Sequence, residues 1–189
     1  SRRRASACVT DSRPMWGQYA PPPVCDHRSV RYPLRLIAAA GNESSGNPSY
    51  PAAFGGVVSV SGVDAKASIA AYSNFGATID VAAPGGDINV DLQPDGYGDG
   101  VLSTLGSDAD GAIAFQYSYY HGTSMASAHF SGVAALMKAV RPGLNPDEID
   151  GYLAGGMIAS DLGAVGNDDY YGWGLIDAYQ AVTAAAGLD

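Results

Sequence analysis

Residues 121–137 read His-Gly-Thr-Ser-Met-Ala-Ser-Ala-His-Phe-Ser-Gly-Val-Ala-Ala-Leu-Met, and this stretch constrains the chain most. From Met125 onward, Phe130, Val133, Leu136 or Met137, and Val140 recur at steps of three and four, with alanines between them that allow close packing. That spacing predicts a helix with a buried face. Ser124 then stands at the helix N-terminus, where the first backbone N–H groups are unpaired and carry the positive end of the helix dipole. A serine in that place is ordinarily an N-cap. It is also a place where a nucleophile would find donors ready for the oxyanion it creates.

The flanking sequence reads as alternating strands and helices. Leu34–Ala40 is a short apolar run ending at Gly41, consistent with a buried parallel strand. Gly41-Asn42 is an ordinary strand-ending turn, but Asn42 also offers a side-chain amide donor. Tyr50-Pro51 leads toward a strand at Val57–Val63. Arg141-Pro142-Gly143 stops the central helix. Asn145-Pro146-Asp147-Glu148 opens another, with an N-cap, proline at the first helical position and glutamate at the third, and Gly155-Gly156 ends it. A last helix runs to about Ala186.

Charge divides the chain. Residues 1–35 carry seven of the ten basic residues and two acids, a net of +5, whereas residues 36–189 carry three basic and seventeen acidic residues, a net of −14. The acidic part repels nucleic acid and anionic membranes and suits a secreted protein, and no apolar run reaches the length of a membrane span. Residues 1–33 show no period, with Arg2-Arg3-Arg4 and Pro21-Pro22-Pro23 among scattered aromatics, and read as a disordered or non-native segment such as a frame-shifted translation. Residues 34–189 form the structured part. Cys8, Cys25 and His27 are too few ligands for a metal site. The first residue is Ser and no signal-peptide pattern follows, which reads as a processed product or a fragment.

Gly122-Thr123-Ser124-Met125-Ala126 followed by His129 and Gly132 closely resembles the nucleophile segment of the subtilisin-like serine peptidases, or subtilases. Ala128 stands where that family usually has proline, a change a helix interior tolerates. Ala38-Ala39-Ala40-Gly41-Asn42-Glu43 resembles the family's oxyanion segment, Tyr72–Gly76 and Ile79–Gly85 its framework, and Tyr171–Ala178 its closing segment. The resemblance implies an α/β fold of three layers with a mostly parallel central sheet. It also implies Ser124 as nucleophile, Asn42 as oxyanion donor, a cis Tyr50-Pro51 bond, and Gly41, Ser49 and Tyr50 at the substrate pocket. The substrate would be a peptide or protein, cut through an acyl-enzyme without a required cofactor.

The family's Asp-Thr-Gly-like and His-Gly-Thr-His-like segments do not occur in this chain, and neither His27, His121 nor His129 matches the catalytic base. The resemblance therefore covers the C-terminal half of a catalytic domain. The N-terminal half is missing as a partner, and the chain alone is expected to be inactive and poorly soluble or molten. Other readings compete. An α/β-hydrolase elbow would need a histidine well after the serine, and none follows His129. An inactive relic or binding module would explain the missing base. The acidic stretch from Asp87 to Asp99 partly resembles a calcium loop at Asp91–Gly96. Its twelfth position is Leu102, however, so a solvated acidic loop is the stronger expectation over structural calcium.

Overall fold

Valine, serine and glycine alternate through Val57–Val63 without one charged residue, and the strand they form, β2, is buried at every position. It is the second strand of a five-stranded sheet whose order is β1-β2-β3-β7-β6. The others are β1 (Leu36–Ala39), β3 (Val81–Pro84), β6 (Ala159–Ser160) and β7 (Leu175–Ile176). β1 pairs β2, β2 pairs β3 and β3 pairs β7 in parallel, while β6 runs antiparallel to β7. This α/β architecture with its mostly parallel sheet is the expected one. The structure is a computed structural model that describes residues 36–108 and 111–188. The readings of residues 1–33, with Cys8, Cys25 and His27, lie outside the described residues.

Three helices complete the fold: α1 (Thr123–Val140), α2 (Pro146–Ala154) and α3 (Ala178–Ala186). Alternation along β2 sends Val58 and Val60 into one core with Val81, Ala83, Phe130, Met137, Leu144, Ile149, Leu153, Ile158 and Ala181. On the opposite face Ser61 donates its hydroxyl to the Tyr170 carbonyl at 2.7 Å, so a loop covers that side. α2 carries the expected capping box: Asn145 accepts from the Glu148 N–H, and the Glu148 side chain accepts from the Asn145 N–H. α1 runs without interruption through Ala128.

Two sequence expectations are corrected. The first strand stops at Ala39, one residue before the predicted end at Ala40, and is described from Leu36. The stretch from Gly85 to Gly111, rich in Asp and Gly and with no strand expected in it, contains β4 (Val101–Ser107), which pairs antiparallel with β5 (Ala114–Tyr120) as a separate two-stranded sheet. Most positions of both strands are exposed, yet Phe115, Tyr117 and Tyr119 alternate with Gln116 and Ser118, a strand signal that is present in the sequence of β5.

α1 is apolar on two sides but buried on one. Phe130 and Met137 are buried, whereas Leu136 is 52% and Val140 48% exposed, on a face shared with exposed Ala128, Gly132, Ala135 and Ala139. Leu36 on β1, which among the described residues pairs only with β2, is also exposed. The two sides of α1 should respond differently to substitution. Phe130→Ala should cost about 3–5 kcal/mol of stability, while Leu136→Gln should stay within about 0.5 kcal/mol and improve solubility. Denaturant unfolding of both variants is the check, and comparable losses would mean the open face is buried in solution.

Candidate active site

The end of β1 and the start of α1 meet through a single side chain. Thr123, the first residue of α1, is fully buried. Its backbone N–H and its hydroxyl both donate to Asn42 Oδ1, each at 2.9 Å, and its Oγ1 accepts the Gly41 N–H at 3.2 Å. A backbone N–H can only donate, so the oxygen of the Asn42 amide must face Thr123 and the Nδ2 donor must face away. Among the described residues no hydrogen bond takes that Nδ2, and Asn42 is exposed. The Asn42 amide also lies against Gly122: a Cβ there would stand 3.5 Å from Nδ2.

Ser124 is the second residue of α1 and is exposed. The N-cap is Gly122, with φ 143°, and no side chain caps the helix; the ordinary N-cap role of Ser124 is therefore set aside. No acidic residue occupies the first turn, so the positive end of the helix is uncompensated there. The N–H groups of Met125 and Ala126 turn back to the Gly122 carbonyl and that of Thr123 goes to Asn42, which leaves the Ser124 N–H as the first-turn donor without a partner among the described residues. At the N-terminus of α1, where Ser124 stands, two donors are thus left, the Ser124 N–H and the Asn42 amide. Such a pair suits the oxygen of a tetrahedral intermediate.

Behind this lies a second layer that the sequence left as framework. Asn74, 4% exposed, donates Nδ2 to the Ala40 carbonyl (3.1 Å) and to Glu43 Oε2 (2.7 Å), and its Oδ1 accepts from the N–H groups of Glu43 and Ser45, both at 3.0 Å. Asn42 is thus carried on a segment pinned from both sides. Gly41, with φ 109°, has no room for a Cβ against the Asn74 amide. Tyr72 donates its hydroxyl to the Gly86 carbonyl at 2.7 Å and accepts the Gly122 N–H at 3.1 Å. Burial pushes its pKa up to about 12, against the opposing effect of the Gly122 N–H.

His121 precedes this turn, its ring 5.0 Å from that of Tyr72. Its Nδ1 lies 3.2 Å from Asp87 Oδ1 and also 3.2 Å from the Ile88 N–H. Burial raises the Asp87 pKa, but the Asn89 N–H and the hydrogen bond from His121 outweigh it and hold the carboxyl below its usual range. His129 places Nδ1 3.0 Å from the Met125 carbonyl, one turn back in α1. Among the described residues neither histidine hydrogen-bonds Ser124.

The remaining sequence candidates stand further along. The Tyr50-Pro51 bond is cis, Tyr50 is 57% exposed, and its ring lies 4.6 Å from that of Phe54. No hydrogen bond among the described residues joins Ser49 or Tyr50 to Asn42 or Ser124. In the acidic loop, Asp91 accepts the Asp95 and Gly96 N–H groups at 3.3 and 3.0 Å, and Asp95 accepts that of Tyr97 at 2.9 Å. Among the described residues no three acidic, histidine or cysteine side chains gather as a metal site.

The family model described as the Subtilase family matches residues 25–174. The halolysin-like extracellular serine protease Nep of Natrialba magadii is 39% identical over 148 residues, covering 78% of this chain and 23% of that protein. An extracellular protease of Xanthomonas campestris pv. campestris is 37% identical over 152 residues, covering 79% and 23%. A solved protease structure from Pseudoalteromonas arctica superposes with a TM-score of 0.64 at 39% identity, over 78% of this chain and 41% of that one. The chain thus spans less than a quarter of the two relatives and less than half of the solved chain. With a match over most of its length and the Asn42 and Ser124 segments joined through Thr123, the chain belongs to the subtilase family.

Proposed function

We propose that this chain carries the nucleophile and oxyanion half of a serine endopeptidase. The observation that carries the reading is the double hydrogen bond from Thr123 to Asn42, which turns the Asn42 amide donor outward beside the N-terminus of α1. Ser124 attacks the peptide carbonyl, and its own N–H with Asn42 Nδ2 holds the oxyanion. Gly41, Ser49 and Tyr50 line the approach of the substrate. The proton acceptor and its orienting carboxylate come from a separate segment, because the family's Asp and His segments do not occur among the 189 residues, and the chain alone does not turn over. The acyl-transfer chemistry requires no cofactor, and in the Asp87–Asp99 loop the carboxylates of Asp91 and Asp95 accept N–H groups of the loop itself. Two relatives named as extracellular proteases, together with the acidic charge of residues 36–189, support a secreted enzyme.

Reactivity tests this directly. A fluorophosphonate labels a serine only when a base activates it. Mixed with the segment preceding the matched region of the Natrialba magadii relative, the chain should become labelled at Ser124, as read by peptide mass spectrometry, and alone it should not. If the mixture forms a complex and Ser124 still fails to react, the endopeptidase reading falls. The chain is then better described as a peptidase-like relic or binding module.

A further inference from the structure

The β4–β5 hairpin leads directly into the nucleophile turn, and one of its faces is a row of uncovered aromatic rings. Register places Leu102 opposite Tyr119, Thr104 opposite Tyr117 and Gly106 opposite Phe115, so these six share a face. Phe115 is 87% exposed and its ring lies over Gly106, 3.8 Å from where a Cβ would stand. Tyr117 is 74% exposed, and Tyr97, from the preceding loop, stacks on Tyr119 at 6.4 Å. Such exposure of large rings is costly in water and marks an interaction surface. Rings on alternate residues of one strand repeat at about 6.8 Å, which is also the repeat of same-side side chains in any extended peptide.

Charge selects the partner. Between Lys66 and Lys138 the chain has no lysine or arginine, while Asp91 and Asp95 adjoin Tyr97 at the base of the row and Asp108 begins the turn at its tip. All three are exposed. Tyrosine faces attract cations, and carboxylates at both ends of the row add to that attraction.

We propose that this face binds an extended, cationic polypeptide, with its apolar or aromatic side chains over Phe115, Tyr117 and Tyr119 and its lysine or arginine residues toward Asp91, Asp95 and Asp108. β5 ends at Tyr120, four residues before Ser124 in the sequence. The inference deepens the endopeptidase reading by naming its substrate class, and rests on that reading for the outcome of binding but not for binding itself.

The test is fluorescence polarisation with the full chain and two labelled peptides, Lys-Phe-Thr-Phe-Thr-Lys and its counterpart with glutamate at both ends. The lysine peptide should bind about tenfold or more tightly than the glutamate one, and its affinity should fall severalfold between about 50 and about 500 mM salt. Phe115→Ser with Tyr117→Ser should weaken it by about tenfold, while Leu136→Gln on the exposed face of α1 should leave it unchanged. Equal binding of the two peptides by the unaltered chain would overturn the proposal. So would sedimentation showing that the same double substitution abolishes self-association that the peptide does not compete with, since the face would then belong to a second copy. A chain that binds the lysine peptide but fails to react at Ser124 even in complex with the preceding segment of the Natrialba magadii relative refutes the endopeptidase reading alone.

Discussion

Replacing Ser124 by alanine in the assembled enzyme should lower kcat by about a millionfold, the size of effect seen when subtilisin loses its nucleophile. Without Oγ no acyl-enzyme forms, and only binding and the oxyanion donors remain to assist water. Asn42→Ala should cost less, roughly 100- to 1000-fold in kcat with KM little changed, because the Nδ2 donor meets an oxygen whose charge exists only in the transition state. That magnitude, too, comes from a subtilisin. Thr123→Val is the informative third variant. It keeps the backbone N–H bond to Asn42 Oδ1 but loses the hydroxyl bond to that atom and the acceptor for Gly41 N–H. The Asn42 amide is then oriented by one bond instead of two, and kcat should drop by about tenfold, the equivalent of one hydrogen bond's net worth. Steady-state peptide hydrolysis measures all three. Retention of a tenth or more of the turnover by Ser124→Ala, or an Asn42→Ala effect confined to KM, would rule out these roles.

What the sequence made legible follows a physical line between local and distant chemistry. The capping box of α2 is written in four consecutive residues, Asn145 to Glu148, and the structure holds each of its bonds. The family was legible because the segments around Ser124 and Asn42 each have distinctive wording. Met137 against Leu136 was undecidable, since both fall within one turn of the same stripe and only the position of the sheet makes Met137 the buried one. In the β4–β5 hairpin the alternation of Phe115, Tyr117 and Tyr119 with Gln116 and Ser118 does mark β5, but β4 carries no such pattern and the Asp- and Gly-rich stretch around it hides the pair. Thr123, Asn74 and Tyr72 escaped for another reason. Their partners lie 81, 31 and 50 residues away, and nothing in the local sequence says that a threonine, an asparagine and a tyrosine close those gaps.

Asn74 is where that distant chemistry should show its largest effect on stability. Asn74→Ala strands the Ala40 carbonyl and the N–H groups of Glu43 and Ser45 around a small hole. Each buried polar group left without a partner costs about 1–3 kcal/mol, and partial access of water to the Glu43 and Ser45 side should hold the sum to about 3–5 kcal/mol. Because residues 40–45 carry Asn42, kcat of the assembled enzyme should fall along with stability. Asn74→Asp separates the two halves of the amide. It preserves shape and the acceptor for Glu43 and Ser45 but replaces the donor with an oxygen facing the Ala40 carbonyl and the Glu43 carboxylate, 3.1 and 2.7 Å from Nδ2 in the native chain. Two carboxylates at that separation cannot both ionise cheaply, so the pKa of the introduced carboxyl is raised in the folded state, where it binds its proton more tightly than when unfolded. Its contribution is therefore intact below the unfolded value near about pH 4 and is lost as pH rises through the raised folded value. Asn74→Asp should then be at least as damaging as Asn74→Ala at neutral pH and recover part of the loss in acid. Denaturant unfolding of both variants at about pH 5 and about pH 8 decides it. A pH-independent gap between them would mean that the Glu43 carboxylate does not face this amide, and the Asn42 segment would then be held by the Ala40 carbonyl and the Glu43 and Ser45 N–H groups alone.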